Sequence, residues 1–324
     1  YKFKNMAFTK LRSVCKHNTG KDFEDSDCES WGIIDEEGNL TNAGALLADE
    51  SPIRHSRVFC TRWNGLDKAS GLIDAIDDAE YSGGLVNLLQ DSMSFVSRNT
   101  KKAWRKTGNG RIEMPDYPDT AVLEGIVNAL IHRDYLELGS EVHIDMFDDR
   151  MEIYSPGGML DGRKVQDLDL RNVSSRRRNP IIADIFNRLK YMDRRGSGFK
   201  KILDSYEFQE HYTEEMKPEF RSSNSEFWLI FKNLNYEAKD VEFVLTTEKT
   251  DTKRKHLIQN GQDMDKMIID FCRERKSVME IVDNFKFKSR TSFKRNYLQK
   301  MLAEGTLKMT IPDKPSSRNQ KYYS

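Results

Sequence analysis

No stretch of this chain approaches the roughly 18 to 20 consecutive apolar residues that a membrane-spanning helix requires. Its first residues, YKFKNMAFTK, lack the apolar core of a secretory signal, so a cytoplasmic protein is expected. Cysteine is scarce. Cys15, Cys28, Cys60 and Cys272 stand far apart with no paired short spacing, which argues against a disulfide framework and a thiolate zinc site and leaves buried, idle thiols. There is no internal repeat and no low-complexity tract. The pattern G-x-x-x-x-G-K-[ST] is missing as well, which excludes a P-loop. Net charge is absent too, with 52 Lys and Arg against 52 Asp and Glu.

What is present suits a multidomain globular chain. The 324 residues are 37% hydrophobic and 32% charged, enough apolar material for two or three domains of about 100 to 150 residues each. The chain opens at Tyr1 in place of a methionine, which is compatible with a segment of a longer protein. The balanced charge is unevenly spread: residues 251–324 hold seventeen Lys and Arg against nine Asp and Glu, a net of +8. A basic tail domain set against a more acidic remainder points to a polyanionic partner.

Periodicity divides the chain into candidate elements. A short helix is expected over 40–49 with Thr41 or Asn42 as its cap, a strand over 56–63, and an amphipathic helix within 83–104 that places Leu85, Leu88, Leu89 and Phe95 near one face. After a TGNG turn come a strand over 111–115 and a helix opened by Pro118 and Asp119 that runs through 121–136. Period-two alternation over 141–147 and 150–155 around Asp148-Asp149 reads as a hairpin. Residues 159–180 are polar and without a clear period, a loop between ordered elements. Helices over 181–192 and after the glycine turn 194–198, a closing strand over 226–231 and a polar linker over 236–262 complete the region.

One helix carries an unusual polar set. Glu124, Asn128 and His132 recur every four residues, so they share a face, while Val122, Leu123, Ile126, Val127, Leu130 and Ile131 supply the buried side. A mid-helix Asn costs roughly half a kcal/mol relative to Ala and needs a reason. Its amide oxygen suits a magnesium ion that bridges phosphates, and a Glu one turn earlier suits a base that holds an attacking water. A solvated polar stripe is the competing explanation. Two glycine segments bear on the choice: Ser155-Pro156-Gly157-Gly158 follows a strand, and Arg195-Gly196-Ser197-Gly198 precedes a helix whose N-terminal N–H groups suit phosphate.

EGIVNALIHRDY, the hairpin into IYSPGGM, and RRNPIIADIFNRLKYMDRRGSGFKKI together resemble the divergent GHKL (Bergerat-fold) ATP-binding domain of bacterial proteins often labelled transcriptional regulators or helicase-related proteins. In that family the domain commonly follows a Schlafen-type AlbA-like domain and precedes a winged helix. The likeness spans about residues 105–232. It implies an α+β chain: a connecting region over 1–104, a two-layer GHKL sandwich over 105–235, the linker, and a winged helix over 263–324. It also implies ATP and magnesium as cofactors, with Glu124 as general base and Asn128 as the magnesium-holding residue. Gly157 and Gly158 would form the first glycine box and Gly196 and Gly198 the second, with an ATP lid between them whose Arg177 and Arg178 reach phosphate. His132, Ser155, Arg195 and Ser197 complete the nucleotide-binding set. The chain departs from the family at Ser155, where an Asp usually accepts the adenine amino group; a hydroxyl accepts more weakly, which puts base preference in doubt.

The C-terminal segment reads as two helices, a third over 289–305 and a hairpin from 306–312 and 318–324. On the third helix Phe293, Tyr297, Leu298, Met301 and Leu302 face inward, leaving Arg290, Ser292, Arg295, Asn296 and Gln299 on the other side, with Lys314 and Arg318 in the wing. Arg reads guanine, Asn and Gln read adenine, and Lys and Ser suit phosphate, so this helix and wing are the expected DNA contact. Three functional classes follow: an ATP-responsive DNA-binding regulator, which can also be a homo-oligomer; a slow ATPase whose hydrolysis drives dimer opening; and a protein phosphotransferase. The last is disfavoured because His17 and His55 lie in no helical hairpin suited to phosphoryl acceptance.

Overall fold

In this computed structural model, residues 1–68, 73–108, 110–174, 176–193, 198–236, 261–285, 293, 297–312 and 320–324 are described. The chain divides into two compact units, Tyr1–Phe243 and Val244–Ser324. The architecture is mixed α+β.

The first unit is organised by one six-stranded sheet. Its strands are β1 (Arg57–Trp63), β2 (Ala75–Ser82), β5 (Val142–Met146), β6 (Arg150–Pro156), β7 (Glu219–Ser222) and β8 (Glu226–Lys232), in the order β2-β1-β5-β6-β8-β7. Every pairing is antiparallel except β1 with β5. That parallel step requires a crossover, and the intervening chain supplies α4 (Leu85–Asn99), a separate hairpin of β3 (Lys102–Thr107) and β4 (Gly110–Pro115), and α5 (Asp119–His132). Because β1 pairs with β5, residues on both sides of position 104 share one sheet and one hydrophobic core.

Alternation along the strands sends Val58, Val142, Ile144, Met151 and Ile153 into that core. The opposite sheet face carries a cross-strand row of Phe59, His143, Tyr154 and Trp228, each half-buried, with neighbouring ring centroids 5.3, 5.8 and 4.7 Å apart. Helices α1 (Thr9–Thr19), α6 (Pro180–Arg188) and α7 (Gly198–Glu207) complete the cover of the core, with the short α2 (Asp27–Ser30) and α3 (Asn42–Leu47) between α1 and β1. Thr41 caps α3 by accepting from the Gly44 N–H at 3.1 Å.

Local departures from the sequence reading have physical causes. The helix expected to reach Trp104 stops at Asn99, because its last inward residue is Val96; Lys102–Thr107 then pairs with Gly110–Pro115 as a ribbon. Edge strands β2 and β7 were not anticipated, being short or largely polar. Residues 159–174 and 176–179 form a loop, apart from one tight turn at Val165–Asp167 where the buried Val165 donates its N–H to Ser222 Oγ at 2.8 Å, and Pro180 already begins the next helix.

The second unit holds α8 (Gly261–Phe271), β9 (Lys276–Ser277), α9 (Val278–Asn284), α10 (Gln299–Ala303), β10 (Lys308–Met309) and β11 (Lys321–Tyr323). The strands form a small sheet ordered β10-β11-β9. Ser277 and Glu280 make a reciprocal capping box at the start of α9. Ile268, Cys272, Ile281, Phe293, Leu298, Met301, Leu307 and Tyr322 form its core. The expected DNA-contacting residues Arg290, Ser292, Arg295, Asn296, Lys314 and Arg318 lie outside the described residues, as does the side chain of Gln299. Among the described residues no helix is long and apolar enough to cross a membrane.

Candidate functional site

Helix α5 is apolar on nearly every side, with Ala121, Val122, Ile126, Val127, Ala129, Leu130 and Ile131 buried. Such a helix belongs in an interior, not on a surface. Gly125 lets it approach the sheet: a Cβ there would lie 2.9 Å from the Leu229 side chain and 3.1 Å from the Phe231 ring. Asn179, just before α6, donates its amide to the carbonyls of Ile131 and Arg133 at 2.9 Å each, satisfying the helix C-terminus. The helix is therefore held at its face and at its end, and its polar residues are set in place by packing.

Those residues open onto one cleft. It is lined by Glu124, Asn128 and His132 from α5, Ser155 from β6, Gly157, Gly158 and Arg176–Arg178 from the following loop, and Gly198 at the start of α7. Its apolar wall is supplied by Ile153, Met159, Phe199, Phe220, Phe227 and Leu229. An apolar pocket with a few convergent polar groups is the ordinary form of a small-molecule site. Of the expected nucleotide-binding residues, Arg195, Gly196 and Ser197 fall outside the described residues; all the others line this cleft.

Glu124 is only 7% exposed. It accepts a hydrogen bond from the Asn128 amide nitrogen at 3.2 Å, and Lys201 Nζ stands 3.8 Å from its other oxygen. Burial pushes its carboxyl above the ordinary value, while Lys201 and Asn128 oppose that shift. Because Asn128 spends its NH2 on Glu124, its carbonyl oxygen is the end left for a cation. Gly198 completes the arrangement: a Cβ there would lie 2.7 Å from Glu124 Oε1 and 3.0 Å from Asn128 Nδ2. Any side chain at this position would enter the space the two polar groups share.

Burial, then the charges of Arg178 and Arg177, lower the His132 imidazole to about 4, so it meets the cleft as a neutral ring at pH 7. Ser155 is buried and donates its hydroxyl proton to the Ala129 carbonyl at 2.8 Å, so its oxygen faces the cleft as an acceptor. Gly157 adopts a φ of +108°, a conformation that side chains rarely tolerate. Arg178 pairs with Asp134 at 2.9 Å and donates to the Gly158 carbonyl at 2.8 Å, fastening the loop to the glycine turn. Arg176, which the sequence reading passed over, is exposed, lines the cleft and joins no described ion pair. Lys201 was also missed; its spacing from Gly198 looks like any helical lysine, and only the fold brings it to Glu124. Among the described residues no cluster of three or more His, Cys, Asp or Glu forms a metal site.

Residues 139–231 match the family HATPase_c_4, described as "Putative ATP-dependent DNA helicase recG C-terminal". Residues 263–323 match the family described as "Filamentation induced by cAMP protein Fic-like, C-terminal domain". The first match begins after α5, so it includes Ser155, Gly157, Gly158, Arg178 and Gly198 but not Glu124, Asn128 or His132. The fold is similar to the crystal structure of the DIP2311 protein from Corynebacterium diphtheriae, at 17% identity and a TM-score of 0.59, over 91% of this chain and 57% of that one. This chain thus spans little more than half the length of that protein. No curated protein matches it. The chain carries an ATPase-like domain of a divergent kind.

Proposed function

We propose that the first unit is a GHKL-type nucleotide-binding sandwich that takes ATP with magnesium, and that the chain is a cytoplasmic ATP-responsive DNA-binding regulator. The observation that carries this reading is the convergence of Glu124, Asn128, Ser155, Gly157, Gly158 and Gly198 on one cleft. Elements far apart in sequence supply them. The residues fit the cofactors: Asn128 offers one oxygen to a magnesium ion that keeps its waters and phosphate ligands, and the space opposite Gly198 is one that a Cβ would fill. Bound magnesium would neutralise phosphate charge. The apolar wall would take the flat base, with the Ser155 oxygen accepting a hydrogen bond from an exocyclic amine.

The capped α9 and the β10-β11-β9 sheet support reading the second unit as a winged helix. We assign it the DNA-contacting role, through Arg290, Ser292, Arg295, Asn296, Gln299, Lys314 and Arg318. Its net charge supports a polyanionic partner. In this reading nucleotide closes the 159–178 loop and changes the arrangement or assembly of subunits.

Calorimetric titration with ATP and magnesium, run beside GTP, tests the cleft. Saturable heat with ATP, weakened by roughly 10- to 100-fold in Asn128→Ala, is the expected outcome; absence of heat from either nucleotide would overturn the assignment. Anisotropy of labelled duplex DNA at low salt, with and without ATP, tests the partner.

A second reading is favoured by the buried, polarised Glu124. A carboxylate whose basicity is raised by burial suits the general base of a slow ATPase. Here hydrolysis would reopen a dimer. Phosphate release that persists unchanged in Glu124→Ala would remove this reading and leave the regulator intact.

A further inference from the structure

The β3–β4 ribbon belongs neither to the cleft nor to the six-stranded sheet. Every residue of β3 is exposed. From Lys101 to Arg111 the sequence holds five cations, Lys101, Lys102, Arg105, Lys106 and Arg111, and no carboxylate. Trp104 is 54% exposed in the middle of them.

Alternation sorts these side chains. Lys102, Trp104 and Lys106 share one face of β3, and Arg111 stands directly opposite Lys106. Arg105 points the other way, beside Ile112 and near Glu210, with which it pairs at 2.8 Å. The carboxylates that meet the outer face are Asp119, paired with Lys102 at 2.8 Å, and Glu113, paired with Arg111 at 2.7 Å. All four partners are at least half-exposed, and such pairs exchange readily for a phosphate. A strand rises about 3.3 Å per residue, so Lys102 and Lys106 stand roughly 13 Å apart with the indole between them.

We infer that this ribbon binds single-stranded nucleic acid, with Trp104 stacking on an unpaired base and Lys102, Lys106 and Arg111 taking the flanking phosphates. Charge complementarity identifies a polyanion, and the exposed indole selects among polyanions. A duplex keeps its base faces stacked inside and offers the ring nothing flat, whereas a single strand presents bases to aromatic platforms. The surface deepens the DNA-partner reading but uses neither the cleft nor the second unit.

The test uses the full chain with a labelled oligothymidylate and a duplex of equal length, in Trp104→Ala, Trp104→Phe and the combined variant K102Q, K106Q, R111Q. Trp104→Ala should weaken oligothymidylate binding by about 5- to 150-fold while Trp104→Phe retains most of it. The triple variant should flatten the salt dependence of strand binding by a slope of up to about 2. Duplex affinity, assigned to the second unit, should hardly change. No oligothymidylate binding at low salt, or binding indifferent to Trp104→Ala, would overturn the inference. Loss of duplex binding with strand binding kept in these variants would overturn it as well, whereas absence of duplex binding by the unsubstituted chain would count against the second unit alone, and the calorimetric titration reads the cleft separately.

Discussion

The two walls of the cleft are built on different physics. On one side α5 is fixed by burial: its apolar residues are in the core, Gly125 seats it on the sheet and Asn179 ties its end. On the other, the loop that follows Gly158 is anchored in the core at Val165 and is otherwise held by ion pairs: Arg171 with Asp204 and Glu207, Arg177 with Asp184, and Arg178 with Asp134. Burial is paid in area and is insensitive to salt, whereas pairs of this kind contribute about 0 to 1 kcal/mol each and weaken as ionic strength rises. A site built this way keeps Glu124 and Asn128 fixed and, on the proposed reading, leaves its cover free to exchange partners when a phosphate arrives.

The sharpest separation between the walls comes from Glu124→Gln. If Glu124 is the base, ATP turnover should fall by about 10²- to 10⁴-fold while nucleotide affinity is kept. Stability should move the other way. The folded carboxyl has a raised pKa, so its contribution is fully present below the ordinary value and is lost as pH rises through the folded value. Above the folded value the ionised group therefore costs stability, and there the amide should melt at a higher temperature. A variant that loses turnover and stability together would place Glu124 in the scaffold.

The glycine turn joins the two walls, and Gly158→Ala should be a strongly damaging small substitution. A Cβ there would lie 2.1 Å from the Ser223 carbonyl oxygen, which no side-chain rotation relieves. A loss of about 3 kcal/mol or more is expected in chemical denaturation. Retained stability would mean that the β6 end shifts more easily than its close packing implies.

The fixed wall also has a pH signature. His132 has a folded pKa of about 4 against an ordinary 6.5. A lowered value in a base means that stability is complete above pH 6.5 and declines as pH falls toward 4. Up to about 3 kcal/mol rides on that window, and His132→Gln should flatten it. An unchanged profile in the variant would assign the acid sensitivity to other groups.

How much of this was legible in the sequence depended on whether the signal was local. The four-residue spacing of Glu124, Asn128 and His132 put all three on one helix, and they do line one cleft. The hairpin around Asp148 and Asp149 was readable from period-two alternation, because one face of each strand is buried. Edge strand β2, with Asp77, Asp78 and Glu80 along it, has no such contrast. Nor could the spacing of charges reveal which arginine of the 176–178 run joins no ion pair among the described residues, or that Lys201 reaches Glu124. Those are outcomes of packing between elements distant in sequence. The shared sheet of β1 and β5 was hidden for the same reason: a parallel pair leaves no turn signature between its strands.

The smallest expected effect sits in the loop wall, and it bears on mechanism as much as on stability. Arg178 is half-buried, bonded to Asp134 and to the Gly158 carbonyl, so Arg178→Ala should cost only about 1 kcal/mol in denaturation. If the arginine simply latches the loop, the variant should bind nucleotide with a faster release, and 0.5 M salt should bring the unsubstituted protein toward the same behaviour. If it instead transfers from Asp134 to phosphate on binding, Asp134→Asn should tighten nucleotide by freeing the guanidinium, while Arg178→Ala weakens it. Tightening in Asp134→Asn is the outcome that a pure latch forbids. The two variants measured by stopped-flow release thus decide whether the ion pairs of this wall are a fastening or a set of ligands held in reserve.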